Sequence, residues 1–322
     1  MDVDHAVILA QPYAGLEAQA RGLAERAGLV PSVHALVARR PWHWLPAARW
    51  PAPLHAIAPL GQLPEGLVLG VGGVAAAVGA ALRRQGRQVV QIQNPRMRFD
   101  RFDLVVANTH DEIVGANVLL SRNALHRVGP TVLAAAREVW AQHLAHLPRP
   151  LVAVLVGGSN GRFRLDLPTG QALAAQLAGI MRSERVGLAL TPSRRTAPEV
   201  RAALAAALSP LGAWIWDMQG DNPYFGLLAC ADAIVVTADS VSMVSEAAAT
   251  TVPVLVAPLP GRSRRIGLFL RTLQQAGRIR MFDGRLQHWP TEPLDDTPAV
   301  AHEMRRRLGM ADPVAPRGLG HE

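Results

Sequence analysis

The stretch Ala233-Ile234-Val235-Val236-Thr237-Ala238-Asp239-Ser240-Val241-Ser242-Met243-Val244-Ser245-Glu246-Ala247 decides how this chain is read. Its opening apolar run marks a strand buried on both faces. Thr237, Asp239 and Ser240 then form a polar turn, and the residues after it have the composition of a helix that begins near Ser242. Ligands of open α/β sheets bind outside the carboxyl ends of the strands, which is where this turn falls. Ser240, Ser242 and the first N–H groups of the helix suit a phosphate, and Glu246 suits the hydroxyls of a ribose. Met243 lies within the same loop–helix start. Capping by Ser242 and Ser245 accounts for the serines but not for the surplus of polar groups.

Working outward, the same rhythm repeats on both sides. Strands are expected over 151–156, 187–190, 213–216, 233–236 and 254–257, with helices over 169–182, 197–208, 223–229 and 242–250 between them. Earlier in the chain, strands are expected over 7–10, 67–70, 88–93, 103–107 and 115–119, with helices over 16–27, 74–84 and 131–145. Apolar strands alternating with helices give a parallel sheet covered on both faces. His146-Leu147-Pro148-Arg149-Pro150 fits neither a helix interior nor a central strand, because of its two prolines. The expected organisation is therefore a first domain over 1–148, a second over 149–290 and a C-terminal helix and tail over 291–322. The expected fold class is α/β, with two Rossmann-like domains facing across a cleft.

Three further segments end strands of the second half. Gly157-Gly158-Ser159-Asn160-Gly161 follows the run 151–156; its glycines permit close backbone approach and their N–H groups can face an anion, although a tight turn of small residues explains them equally well. Thr191-Pro192-Ser193-Arg194-Arg195-Thr196 sets two arginines over a strand end, where they suit a diphosphate; Ser193 or Thr196 also reads as a helix cap. Trp216-Asp217-Met218-Gln219-Gly220-Asp221-Asn222-Pro223-Tyr224 has two readings, a site-lining loop and a helix start capped by Asn222.

Composition narrows the chemistry. The chain has 322 residues, 49% of them hydrophobic and 18% charged, enough for two cores and opposite in balance to a disordered protein. All 33 Lys+Arg residues are arginine, at a net charge of +8. A Walker-A lysine, a Schiff-base lysine and a Tyr-x-x-x-Lys pair are thereby excluded, and phosphate must be held by arginine or by backbone N–H groups. The arginines are dispersed and no aromatic motif interleaves with them, which argues against a nucleic-acid partner. A lone cysteine, Cys230, builds no internal disulfide and no cysteine-based zinc or iron–sulfur site; no metal and no cofactor are expected. No secretory signal is expected at the acidic N-terminus, and the reducing cytoplasm is the natural setting. The segment 262–271 reads either as an ordinary helix packed on the sheet or as a basic amphipathic helix in peripheral contact with a membrane.

Several segments together resemble the mitochondrial fission Elm family of bacteria and plants: Asp221-Asn222-Pro223-Tyr224, Thr191-Pro192-Ser193-Arg194-Arg195-Thr196, 231–253, Gln91-Ile92-Gln93-Asn94-Pro95-Arg96, Phe102–Val106 with His110-Asp111, and 117–128. The resemblance runs over about 14–297 and implies a glycosyltransferase-B fold. Gly157-Gly158-Ser159 and 242–246 are similar to the nucleotide-sugar loops of the peptidoglycan N-acetylglucosaminyltransferase, which implies a uridine nucleotide with its ribose on Glu246. The family's plant members are implicated in recruiting a dynamin-related protein to mitochondria. Where members usually carry Asp-Gly-Lys and Gly-Arg-Arg, this chain has Gln11-Pro12-Tyr13 and Gly72-Gly73-Val74.

Three functions follow. One is a transferase that moves a sugar from a nucleotide sugar, UDP-linked by that similarity, to an unknown acceptor. Arg194 or Arg195 would offset charge on the leaving diphosphate, and His110, Asp111 or Glu17 would act as base. The second is a non-catalytic adaptor on the same fold that recruits a protein partner. An epimerase of the short-chain dehydrogenase type fails, because the chain has only Tyr13 and Tyr224, no lysine and no Gly-x-x-Gly-x-x-Gly after its first strand. A hydrolytic nucleotide-sugar epimerase needs none of these and remains the third.

Overall fold

The computed structural model describes residues 5–311. In the first part of the chain, β1 (His5–Ala10), β2 (Val30–Ala35), β3 (Leu67–Val71), β4 (Val89–Ile92), β5 (Leu104–Asn108) and β6 (Val118–Ser121) form one six-stranded sheet in the order β2-β1-β3-β4-β5-β6. Helices α1 (Ala14–Arg26) and α2 (Gly72–Arg84) connect its strands. After α3 (Pro130–Leu144) come β7 (Leu151–Val156), α4 (Leu167–Glu184), β8 (Gly187–Pro192), α5 (Pro198–Leu208), β9 (Trp214–Ile215), α6 (Tyr224–Cys230), β10 (Ala233–Thr237), α7 (Val241–Ala248), β11 (Val254–Ala257), α8 (Arg264–Gln275) and β12 (Ile279–Met281). Their sheet has the order β12-β11-β10-β7-β8-β9, and α9 (Thr297–Arg307) follows.

Every strand pairing in both sheets is parallel. The cause is visible along β1 and β7. Ala6, Ile8 and Ala10 enter one core while Val7 and Leu9 enter another. Leu151, Ala153 and Leu155 likewise separate from Val152, Val154 and Val156. Successive side chains of a strand point to opposite faces, so a run apolar at every position needs a helical layer on each side.

The chain divides into two compact units, Met1–Arg127 with Asp296–Glu322, and Val128–Asp295. This differs from the expected boundaries at 148 and 290. The prolines of 146–150 break the chain, but α3 before them already packs on α6, with Val128 and Leu144 in the core that holds Leu227 and Leu228. The C-terminal helix is no appendage either. Val300, Ala301 and Met304 of α9 lie in the core with Ile8 and Leu23, and Arg122 pairs with Asp296 ahead of it.

Smaller differences have local causes. The strand expected over 115–119 begins at Val118, because the Val118 amide closes a turn on the Gly115 carbonyl at 3.1 Å. The short strand β12 carries too little apolar sequence to announce itself. Helix α8 buries Phe269 and Leu273 in the core, which is the ordinary-helix reading of 262–271.

Candidate functional site

In the second unit the chain builds β7, β8 and β9 outward in one direction, then returns to set β10 on the other side of β7. The β7–β10 edge is thus the point where the strand order reverses, the position at which open α/β sheets hold ligands. Gly157 follows β7, Thr191–Arg195 ends β8 and Asp239 follows β10, so all three segments meet at neighbouring strand ends.

What joins them is a buried polar network centred on Asp239, whose side chain is fully enclosed. It accepts from the Thr237 hydroxyl at 2.7 Å, from the Gly158 amide at 3.1 Å and from the Arg195 guanidinium at 2.9 Å. The Gly157 amide donates to Thr237 Oγ1 at 2.8 Å. Thr196 donates to the Val156 and Gly157 carbonyls, and its hydroxyl accepts from the Ser193 amide. A buried carboxylate is tolerated only when its lone pairs are met in this way.

This alters the expected role of the glycines. A Cβ on Gly157 would stand 2.2 Å from Asp239 Oδ1, and one on Gly158 would stand 2.2 Å from the Arg195 carbonyl. Their close approach is to the protein itself, and their amides face Thr237 and Asp239 rather than a bound anion. Arg195 is held by Asp239, whereas Arg194 projects from the exposed surface. Ser159 and Asn160 shape the following turn: Ser159 accepts from the Leu165 amide, and Asn160 Oδ1 accepts from the amides of Arg162 and Phe163. Ser193 similarly takes the Arg195 amide, and Thr191 is buried within β8.

The loop–helix start after β10 keeps its open character. Ser240, not Ser242, is the N-cap of α7, and accepts from the Met243 amide at 3.3 Å. The amides of Val241 and Ser242 belong to the first turn, whose N–H groups have no partner within a helix. Ser242 and Met243 are half-buried. Glu246 lies further along the same helix, only 7% exposed. Burial pushes its carboxyl up to about 7, and the hydrogen bond from the Tyr224 hydroxyl, 2.5 Å from Oε2, opposes that rise. The Tyr224 hydroxyl is itself held well above the ordinary tyrosine range by burial and by the neighbouring carboxylate. At the far end of α7, Arg278 is 2% exposed and donates to the carbonyls of Ala247, Ala248, Thr250 and Val252. That charge suits the negative end of a helix, and burial lowers its pKa to about 10.

Asn222 accepts from the Tyr224 amide at 3.0 Å in the turn before α6, whose N-cap is Pro223 rather than Asn222. The sequence places Thr237 in a polar turn, Thr196 as a candidate cap and Tyr224 at a loop end, but it does not mark them as members of a buried network, and it does not mark Arg278 at all. A threonine or tyrosine near a strand end is too common to signal a role, and the partner of Arg278 is main chain.

The three candidate bases lie in the first unit. Glu17, on the first turn of α1, pairs with Arg21 at 2.6 Å. His110 and Asp111 form a 3-10 turn after β5, with His110 buried and Asp111 accepting from the Asn108 amide at 3.3 Å. β1 and β5 are three strand spacings apart, about 14 Å, so these are two places rather than one constellation. Among the described residues no group of three or more His, Cys, Asp or Glu is placed to hold a metal ion. Cys230 is buried, and burial raises its thiol pKa.

Comparison with known proteins agrees with this architecture. The family described as mitochondrial fission ELM1 matches residues 14–308. The mitochondrial fission protein ELM1 of Arabidopsis thaliana is 31% identical over 272 residues, covering 75% of this chain and 64% of the plant protein. The chain thus spans less than two thirds of that relative's length. An uncharacterized protein of Rickettsia prowazekii (strain Madrid E) is 25% identical over 289 residues, covering 77% of this chain and 81% of that one. A UDP-GlcNAc 2-epimerase of Neisseria meningitidis, solved with UDP-GlcNAc bound, superposes with a TM-score of 0.52 at 11% identity, over 94% of this chain and 100% of the other. That likeness shows the fold, which is glycosyltransferase-B-like. Matched over nearly its whole length, the chain belongs to the mitochondrial fission ELM1 family.

Proposed function

We propose that the second unit binds a UDP-linked sugar, with the diphosphate at the N-terminus of α7 and the ribose hydroxyls on Glu246. The placement of Glu246 carries this reading. Glu246 lies five positions beyond Val241 along the helix, about 7.5 Å at 1.5 Å per residue, a span suited to a ribose joined to a diphosphate. Its carboxyl group can accept from vicinal hydroxyls, and the first-turn amides suit the anion. The Neisseria meningitidis epimerase, solved with UDP-GlcNAc, supports the same ligand class. In the transferase reading the sugar passes to an acceptor hydroxyl in the cytoplasm. Arg194 and the α7 amides offset the charge on the leaving diphosphate, and Glu17, His110 or Asp111 takes the acceptor proton. A hydrolytic epimerase would use the same ligand placement.

Calorimetric titration with UDP and UDP-sugars tests the proposal. Saturable binding is expected, weaker by about tenfold or more in Glu246→Ala. No heat at millimolar ligand would overturn it. UDP release from a bound UDP-sugar then separates transfer and hydrolysis from binding alone.

A second reading, the non-catalytic adaptor, is favoured by the Asp239 network, which takes up the Gly157 and Gly158 amides and Arg195 inside the protein. An adaptor captures its protein partner equally well with Glu246→Ala; a nucleotide-dependent protein does not.

A further inference from the structure

The loop after β9 is not used by the nucleotide reading, and neither is the aromatic wall beside it. The protein has seven tryptophans. Three of them, Trp140, Trp214 and Trp216, line one open cavity of about 410 Å³ in the second unit, a size usual for small-molecule sites. Trp140 comes from α3, while Trp214 and Trp216 come from the edge strand β9 and the residue just after it.

These rings are set without any ligand. Trp140 lies directly on α6 at Gly226, where a Cβ would stand 2.2 Å from Trp140 Cγ, so that helix carries a glycine where the indole sits. Trp214 meets Trp140 edge-on at 6.1 Å and 64°. Trp216 Nε1 donates to the Gln219 carbonyl at 2.8 Å, and the Gln219 amide donates to Asp217 Oδ1 at 2.9 Å. The loop thus holds its own indole in place. All three indoles are half-buried, and the exposed Asp217, Gln219 and Asp221 border the same cavity.

Chemistry selects among the ligands that favour aromatic walls. A cation would be met by the indole faces and the two carboxylates alone. The side-chain amide of Gln219 adds N–H donors that a cation cannot use, while His143, which also lines the cavity, has its Nδ1 on the Val139 carbonyl at 2.9 Å. A nucleotide would stack as well, but its phosphates would lie beside Asp217 and Asp221, and like charges across a site act against a ligand. An uncharged polyhydroxyl ring satisfies every feature. Its C–H face covers an indole, and hydroxyls around its rim both donate to the carboxylates and accept from the amide.

We infer that the cavity between α3 and β9 is a saccharide site that takes an uncharged pyranose, separate from the strand-end loop of α7. The inference does not rest on nucleotide binding, and a failed UDP titration leaves it standing.

Tryptophan fluorescence of the full chain reads it directly. The protein is titrated with glucose, galactose and N-acetylglucosamine, with their β-linked disaccharides, and with an arginine tetrapeptide and UMP as rival classes. A saturable change is expected with at least one saccharide. It should weaken about tenfold or more in Asp221→Ala and vanish in Trp216→Ala. Asp221 is exposed, so its substitution keeps the test sound if Trp216→Ala fails to fold, which circular dichroism detects. The inference is overturned if no saccharide saturates up to about 50 mM, if the change survives Asp221→Ala, or if only the peptide or UMP binds.

Discussion

The two six-stranded sheets are built alike, yet their strand ends differ in kind. In the first unit the reversal of strand order falls between β1 and β3, and the residues there are Gln11-Pro12-Tyr13 and Gly72-Gly73. Gly73 is exposed, with nothing within 4 Å of the place a Cβ would take. In the second unit the equivalent reversal is filled by Thr237, Asp239, Thr196 and the two glycines, bonded to one another in a closed network. A parallel sheet provides a place for a ligand wherever its order reverses, but chemistry needs polar groups there with their geometry fixed. Only the second sheet supplies them in this way.

The strongest way to break that contrast is to crowd the network. Gly158→Ala places a methyl group against the Arg195 carbonyl and should cost about 3 kcal/mol or more, read as a lowered urea midpoint. A cost under about 1 kcal/mol would mean that the strand ends of the second unit are no more constrained than those of the first.

A sharper probe is the pH dependence of Glu246. Its folded carboxyl sits near 7 against an ordinary 4.5, so between these values the folded state holds a proton that the unfolded state has released. Stability should therefore fall as pH rises from about 4.5 to 7 and level off above, by at most on the order of 3 kcal/mol. Glu246→Gln should remove that slope, as urea melts at pH 5 and pH 8 would show.

Asp296 in the first unit gives the opposite sign and a smaller size. Its carboxyl, partly buried, is held below the ordinary 3.8 by hydrogen bonds and charge from Arg122. The stability it adds is present above that ordinary value and is lost as pH falls through the folded one. Asp296→Asn should cost about 1 kcal/mol at pH 7 and little near pH 2, by thermal melts at both. The smallest effect belongs to Gly73→Ala, expected to be neutral or to stabilise by less than about 1 kcal/mol, since it removes helix-start flexibility with no clash. Run beside Gly158→Ala, it sets the two strand ends against each other on one scale.

Much of the fold was legible because a strand covered on both faces must be apolar at every position. Val7–Leu9, Leu67–Leu69, Leu151–Val156 and Ala233–Val236 could hardly be anything else. The edges were less even: β9 fell within the expected 213–216, whereas β12 has only one neighbour and correspondingly little apolar sequence. The stretch ending in Glu246 stood out for its excess of polar groups after a buried strand. The partners of those groups did not, since Tyr224 lies 22 residues before Glu246 and Gly158 lies 81 before Asp239.

By itself, then, the sequence determined two parallel α/β sheets and a polar strand end beside α7, because burial and helix periodicity are written locally. The tertiary structure alone decided that the glycine amides turn inward to Thr237 and Asp239, that α3 belongs with the second unit and α9 with the first, and that Trp140 meets Trp214 over Gly226. Each of these depends on which distant segments share a sheet edge or a core, and that is settled by packing of the whole chain rather than by any one stretch of it.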